Sequence, residues 1–287
     1  MRKPCFEGNV LGPYSEPFHE TIQANPQMAR DNYTFGDNDQ ASTRLRRLAE
    51  VYEPETRELL RNCGVCGPHL AVDLGCGPGW STRLLHEMVR PVRAVGLDSS
   101  ERYISEALCS QTPDLEFKVH DVALTPFPVL SPDFLFCRFL LTHISSVGQV
   151  LTDWGRIAAP GASLVVHETE TLETEHAALR RYYELVSRLQ QHYGQTLLVG
   201  AILTERVQGS GWHVVESNRR VLEKKASEMA ELHVANLRTW RHNEYASSAF
   251  DPSEINSLEL SLERIARGAE DGGIVVNVAR QIIAKRT

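Results

Sequence analysis

Residues 69–85 read HLAVDLGCGPGWSTRLL, and the reading of this stretch decides the fold. A short apolar run, Leu70, Ala71 and Val72, leads into Asp73. Gly75, Gly77 and Gly79 follow at alternate positions, with Cys76 and Pro78 between them, and then a helix-like segment begins. Strand, tight glycine-rich turn and helix start are the parts of a nucleotide-binding βα unit. Glycine is needed where the backbone takes a positive φ or where a Cβ would collide with a ligand. A dinucleotide fingerprint, G-x-G-x-x-G, requires its third glycine at position 80, which Trp80 occupies; this argues against a nicotinamide-dependent oxidoreductase. The pattern here is D-x-G-x-G-x-G. A carboxylate two residues before the first glycine repels a diphosphate but holds a cationic amino-acid group.

The next acidic positions extend the argument. Arg93–Asp98 (RAVGLD) reads as a second strand that ends in a carboxylate 19 residues after Gly79. In a Rossmann-like unit such a carboxylate accepts hydrogen bonds from ribose hydroxyls. A third strand, Leu115–Val119, ends at His120, Asp121 and Val122. There Asp121 is placed to accept from an adenine amino group, with Val122 as an apolar wall. Residues 133–138 (DFLFCR) and, after Pro160 and Gly161, residues 163–168 (SLVVHE) read as strands four and five. The set points to S-adenosylmethionine, whose methionyl end carries an ammonium and whose sulfonium is also positive.

With these residues in view, the chain resembles the class I S-adenosylmethionine-dependent methyltransferases. It looks closest to the small-molecule branch with the ubiquinone/menaquinone-type and trans-aconitate-type enzymes. VDLGCGPG, GLDSS, HDV, CRFLLTH (137–143) and APGASLVVHE (159–168) carry the resemblance, which covers about residues 30–285, with the specific motifs in 65–168. It implies that Asp73 and the glycine turn (Gly75, Cys76, Gly77, Pro78, Gly79) border the methionyl end of the cofactor. It implies further that Asp98, with Ser99 beside it, binds the ribose. By the same resemblance His120, Asp121 and Val122 lie by the adenine, and Cys137 and Arg138 face the methionyl moiety. A histidine near His143 often follows strand four in this branch.

Composition agrees. At 287 residues the chain is long enough for one large α/β domain with a helical cap, and its hydrophobic (42%) and charged (23%) fractions are ordinary for a globular protein. A net charge of -7 argues against a nucleic-acid partner. Arg44, Arg46 and Arg47 form a small basic cluster that reads as a solvated helix face. The sequence holds no apolar run of ~20 residues, and residues 1–18 lack a signal-peptide core. The six cysteines show no zinc spacing, and Cys63-Gly-Val-Cys66 stands without a second pair. A cytoplasmic protein without metal or membrane contact is the expectation.

The expected fold is α/β: a Rossmann-like seven-stranded sheet, mostly parallel with the last strand antiparallel, helices on both faces and a helical cap. Residues 1–64 read as a proline-bearing leader and cap helices, with Tyr33 and Phe35 as lid candidates. Residues 65–287 read as the cofactor-binding domain, with cap insertions at about 170–200 and 222–269. Within the first insertion, residues 177–193 carry Leu179, Tyr182, Tyr183, Val186 and Leu189 at helical spacing. One of the two adjacent tyrosines is expected in the core and the other, Tyr183, on a substrate pocket. Residues 212–216 and 274–284 supply strands six and seven. A homo-oligomer is compatible with the leader, which is of a type that can swap between copies.

Methyl transfer is an in-line displacement at an activated carbon, so the enzyme has to exclude water, align the nucleophile and, where needed, remove a proton. His143, past strand four, and His167, at the end of strand five, are the candidate bases, because an unperturbed histidine titrates near pH 6.5. Phe139 and Glu168 lie on the same rim as substrate-binding candidates. A small-molecule O-, N- or C-methyltransferase is the first reading. A protein of the same fold that binds the cofactor but catalyses another reaction, such as a cyclisation, or serves as a non-catalytic partner, is the second.

Overall fold

A computed structural model describes residues 39–287; Tyr33 and Phe35 lie outside them. Two helices come first, α1 (Asp39–Val51) and α2 (Glu53–Asn62), the second with Pro54 in its first turn, where a missing amide donor costs nothing. There follow β1 (Leu70–Leu74), α3 (Trp80–Val89), β2 (Arg93–Asp98), α4 (Glu101–Ala107), β3 (Leu115–Val119), β4 (Phe134–Arg138), α5 (Val147–Ile157) and β5 (Ser163–Thr174). The chain closes with α6 (Ala177–His192), α7 (Gly200–Gln208), β6 (Trp212–Lys225), α8 (Ala226–Trp240), α9 (Glu244–Ala249), α10 (Pro252–Ala266) and β7 (Ile274–Arg286).

All seven strands form one sheet in the order β3-β2-β1-β4-β5-β7-β6, with β7 antiparallel to both neighbours and the other pairings parallel. This is the expected architecture. Strand order reverses between β1 and β4, which opens a crevice at their C-terminal ends. Every residue of β1 is buried, as a central parallel strand covered on both faces demands. One face of the sheet packs Leu59, Leu85 and Ile104 of α2, α3 and α4 on Ala94, Phe134 and Val165. The opposite face packs Leu151, Trp154 and Leu203 of α5 and α7 on Val72, Leu135 and Val166. Helix α2, grouped from sequence with the cap, thus belongs to the flank of the sheet.

A third core joins α6, α8 and α10 through Leu179, Leu185, Ala230, Leu237 and Leu262, with Leu48 of α1 packed against it. The cap is therefore a body with its own hydrophobic interior. It begins later than the sequence suggests. The ladder of β4 ends where Arg138 pairs with His167, yet β5 continues to Thr174 along β7 alone, and β6 accompanies β7 from Lys225. The acidic stretch after Glu168, grouped from sequence with the first cap insertion, is a strand because β7 runs beside it. Glu170 meets Arg219 at 2.7 Å and Arg280 at 2.6 Å. Residues 170–174 and 222–225 are thus sheet, and the cap insertions start at α6 and α8.

Candidate active site

The glycine turn is built as the D-x-G-x-G-x-G pattern requires, but its three glycines serve different ends. All three have positive φ: 72° at Gly75, 53° at Gly77 and 81° at Gly79. A Cβ on Gly75 would stand 2.6 Å from Leu140 Cδ1, and one on Gly79 2.7 Å from Phe117 Cε1. Those two positions are closed by the protein's own packing. A Cβ on Gly77 would meet only Leu45 Cδ1 of α1, at 3.4 Å. Among the described residues Gly77 is thus the one glycine of the turn whose Cβ would not collide, beneath Leu45 of α1.

Asp98 lies at the C-terminal end of β2 and closes on this turn. Its Oδ2 accepts from the Gly77 amide at 2.8 Å and its Oδ1 from the Ser100 amide at 2.9 Å, while Ser99 is exposed beside it. Asp73 is nearly inaccessible, and its Oδ2 accepts from Ser81 Oγ at 2.6 Å and Thr82 Oγ1 at 2.7 Å. Burial pushes its carboxyl up to about 6, against the pull of those two hydroxyls and of the Arg138 guanidinium. The expected cation-holding carboxylate therefore also pins the first turn of α3. Cys76 and Pro78 are buried inside the turn. Asp121 is exposed and caps its own turn by accepting from the Ala123 amide at 2.9 Å. The His120 ring stacks toward Phe127 at 4.7 Å, and Val122 is buried with its carbonyl accepting from Trp154 Nε1 at 2.9 Å.

At the ends of β4 and β5 the pairing of Arg138 with His167 puts two expected site residues side by side. Arg138 Nη1 donates to Thr56 Oγ1 of α2 at 2.8 Å, its guanidinium lies 5.6 Å from the Phe139 ring, and its charge acts on Asp73. Phe139, held at φ 53°, sets its ring edge-on to His167 at 5.1 Å and to Tyr52 at 4.8 Å. His167 is fully buried; its Nδ1 lies 3.5 Å from Gln281 Nε2, and its Nε2 has no partner among the described residues. Burial, with Arg138 and Lys224 nearby, holds the ring neutral and pushes it down to about 3. His143, half-buried in a 3₁₀ turn at Leu141–His143, is likewise pushed down to about 3 by burial and by Arg44.

Two expected substrate contacts sit elsewhere. Glu168 does not face the crevice: it is fully buried, and its Oε1 accepts from the Leu140 and Leu141 amides at 2.7 Å each. Cys137 Sγ, also buried, donates weakly to the same oxygen at 3.9 Å, so both residues fasten the turn that follows β4. Burial pushes the Glu168 carboxyl up to about 8, against those amides. Tyr183 is a cap-core residue whose hydroxyl meets His233 Nε2 at 2.9 Å, and Tyr182 is buried beside it, stacked on His233 at 4.2 Å. The amphipathic stripe is broad enough to bury both tyrosines.

The basic cluster on α1 is a solvated face only in part: Arg46 is exposed, whereas Arg44 and Arg47 turn toward α8. Arg44 is buried and donates to Asn236 of α8, the Arg46 guanidinium lies 5.6 Å from the Trp80 ring, and Arg47 pairs with Glu231 at 3.0 Å. A cavity of about 400 Å³ opens between α1, α8 and α10, bordered by Arg44, Arg47 and Arg238. No group of three or more histidine, cysteine or acidic residues fit to hold a metal occurs among the described residues. None of their helices is long and apolar enough to cross a membrane.

Several residues of the site carry no sequence signal. Tyr52 is buried, accepts from Asn277 Nδ2 at 2.8 Å, and lies 4.9 Å from Lys224 Nζ. Lys224 in turn donates to Val51 O and to Glu55 Oε1, each at 2.7 Å. Gly96, in the middle of β2, was legible in principle as an isolated strand glycine. A Cβ there would lie 2.8 Å from both Phe117 Cδ1 and Thr82 Oγ1, the support of the turn.

Comparison with known proteins agrees with this geometry. Residues 72–166 match the family model of the methyltransferase domain. Trans-aconitate 2-methyltransferase of Methylobacterium nodulans is 36% identical over 126 residues, covering 43% of this chain and 48% of that protein. The chain thus spans about half the length of the curated relatives it matches. Among solved structures, phosphoethanolamine N-methyltransferase 2 of Haemonchus contortus has a TM-score of 0.56 at 16% identity, covering 90% of this chain and 60% of that one. Cyclopropane synthase MmaA2 of Mycobacterium tuberculosis has a TM-score of 0.54 at 16% identity, covering 88% of each chain. These two share the fold. The resemblance to the class I S-adenosylmethionine-dependent methyltransferases is borne out over the core of the chain.

Proposed function

We propose that this protein transfers a methyl group from S-adenosylmethionine to a carboxylate oxygen of a small-molecule acceptor. The observation that carries the reading is the closure of Asp98 on Gly77, the one glycine of the turn whose Cβ position is not blocked by the described residues. A carboxylate fixed by two amides beside a glycine-rich turn suits ribose hydroxyls, and Asp73 supplies negative charge for the cationic methionyl end. The donor, when bound, supplies a methyl group already activated by a sulfonium. The protein's part is to bind, orient and exclude water, and alignment of that kind is worth about 7–11 kcal/mol in favourable cases.

The carboxylate is favoured by the state of the candidate bases among the described residues. A general base works best with a pKa near the operating pH. His143 and His167 are held near 3 by burial and neighbouring cations, and Glu168 holds its proton to about 8 while its Oε1 is engaged by two amides. None of these accepts a proton from a phenol or an ammonium at neutral pH. A carboxylate acceptor needs no base, and Arg138 and Lys224, whose charges reach His167, are the cations nearest to this end of the sheet, Lys224 being paired with Glu55. The curated relatives are named for trans-aconitate, itself a carboxylate. His143 and His167 then serve as neutral packing or hydrogen-bonding groups rather than as bases.

Calorimetric titration of S-adenosylmethionine and S-adenosylhomocysteine into the wild type and Asp98→Ala tests the first half. Binding by the wild type that falls at least about tenfold in the variant is expected, since a bond to a charged acceptor is worth about 1.5–3 kcal/mol. An unchanged affinity in the variant overturns it. Radiolabelled methyl transfer to matched carboxylic acids, phenols and amines tests the second half. Base-labile label on acids alone is expected; label on phenols or amines refutes the carboxylate.

A further inference from the structure

β6 is the last strand of the sheet, and among the described residues no strand pairs with its outer edge. Such an edge presents unpaired amide and carbonyl groups to any complementary strand. Most of its residues are exposed, including Val215 (53%) and Val221 (65%), and its fourteen residues, WHVVESNRRVLEKK, include no proline to block further pairing. Natural edges are commonly guarded by charge and by bulges, and β6 has both: Arg219, Arg220 and Lys225, and a bulge between Val214 and Glu216.

The order of its charges makes this edge self-complementary. In an antiparallel pair of identical strands the two-fold axis passes through one residue, and positions equally far on either side face each other. With the axis at Asn218, Glu216 faces Arg220 and Ser217 faces Arg219, and the bulge at Val215 ends the regular register on that side. Within one chain Glu216 and Arg220 point to the same face of the sheet, because their β7 partners Ile283 and Ala279 are four residues apart. The acids of the strand are the ones lacking a cation. Glu216 takes only the Asn218 amide, at 3.2 Å, and Glu223 has no ion pair among the described residues. Moving the axis by one residue, to Ser217 or Arg219, sets Arg220 against Val214 or Asn218 and leaves Glu216 without a cation.

Helix α7 extends the surface. It rides on the face of β6 through the bond between Thr204 and Ser217 hydroxyls, at 2.7 Å, and leaves Ile202 39% exposed. A two-fold through Asn218 carries the same helix of the second copy to the same face of a joined sheet, so the contact gains an apolar flank.

We propose that β6 is a homodimerisation edge, pairing antiparallel with β6 of a second copy about Asn218, so that two seven-stranded sheets become one. The second copy is the partner because the strand's own charge order is what complements it, residue against residue.

Sedimentation equilibrium of the full chain, with the Glu216→Arg variant and the Glu216→Arg/Arg220→Glu double variant, tests this. The wild type is expected to dimerise. The single reversal sets Arg against Arg twice over, because the two-fold doubles each cross-strand contact, and should weaken the dimer about tenfold or more. Arg220 also holds Glu58 of its own chain at 2.5 Å, so the double reversal restores the cross-strand pairing at the cost of that exposed bond and should recover most of the dimer. Circular dichroism confirms that the variants fold. A wild type that stays monomeric, or a dimer indifferent to the single reversal, overturns the proposal. Asn218→Cys gives an independent readout. On the axis it meets its own copy at a Cα spacing of about 4.5–5.5 Å, within the range of a disulfide, so oxidation should yield a covalent dimer. Arg219→Cys, off the axis, should yield much less. Equal cross-linking of the two variants places the contact elsewhere.

Discussion

Glu168 offers the sharpest test of how the turn after β4 is held, through its replacement by Gln and by Ala. The side chain is fully buried, its Oε1 accepts from two backbone amides at 2.7 Å, and its Oε2 has no partner among the described residues. Ala leaves both amides unsatisfied at about 1–3 kcal/mol each, and a cavity besides. Gln keeps an acceptor for both amides and adds one unsatisfied donor, for a loss of about 1–2 kcal/mol. The two variants then diverge from the wild type differently with pH. The Glu168 carboxyl is raised from 4.5 to about 8 by burial. Between those values the folded chain keeps a proton that the unfolded chain has released. Wild-type stability therefore falls as pH rises across that window, by up to about 1.4 kcal/mol per unit, and on the order of 4–5 kcal/mol is lost by pH 8 from this group. Gln has no proton to lose. The expected result is a crossover: Glu168→Gln is less stable than the wild type at pH 5 and more stable at pH 8, with Glu168→Ala below Gln throughout. Urea unfolding at pH 5, 6, 7 and 8, with the slope of unfolding checked for constancy, measures it. A difference between wild type and Gln that does not change with pH, or an Ala variant as stable as Gln, refutes both the buried proton and the clamp.

Other consequences are as specific. Asp73 is raised to about 6, so S-adenosylmethionine should bind more weakly as pH falls through 6, by up to about tenfold per unit below it; titration at pH 7.5 and 5 measures the loss, and an unchanged affinity removes Asp73 from the cationic end. Gly79→Ala should unfold at lower urea than Gly77→Ala, because its Cβ strikes Phe117 at 2.7 Å while that of Gly77 meets Leu45 at 3.4 Å. Gly77→Ala should instead lose cofactor affinity; the reverse order contradicts the division of labour within the turn. His143→Asn and His167→Asn should keep kcat within about tenfold on a carboxylate acceptor, whereas loss of a working general base costs about 10²–10⁴-fold. A pH–rate limb near 6.5 that vanishes in either variant would restore the base.

The parts of this molecule legible in sequence are those where local chemistry and tertiary role coincide. Residues 70–98 announce strand, turn, helix and strand because each needs a particular residue at a particular spacing, and the same spacing leads Asp98 to Gly77. The sheet followed from strands that read as apolar runs, since burial on both faces leaves no other pattern. Legibility failed where one element depends on another far away. The polar residues 169–174 are a strand only because β7, a hundred residues later, runs beside them, and Glu170 is content there only because Arg219 and Arg280 arrive from two other strands.

The same dependence separates the motif residues, whose setting is local, from the histidines, whose setting is assembled from distant elements. A histidine in a sequence brings a pKa near 6.5, and that value invites the role of base. What lowers the value in the folded chain is burial first and neighbouring cations second, and both come from elsewhere, the cations being Arg138 from β4, Lys224 from β6 and Arg44 from α1. Lys224 is itself held by Val51 and Glu55 across a separation of some 170 residues. Chemistry that depends on one local turn, such as the cradle at Gly77, survives the step from sequence to structure. Chemistry that depends on a field does not, because the field is assembled only when the cap core, the long β5–β7 extension and α1 close over one edge of the sheet. The choice of acceptor, on the reading proposed above, depends on that field more than on any motif.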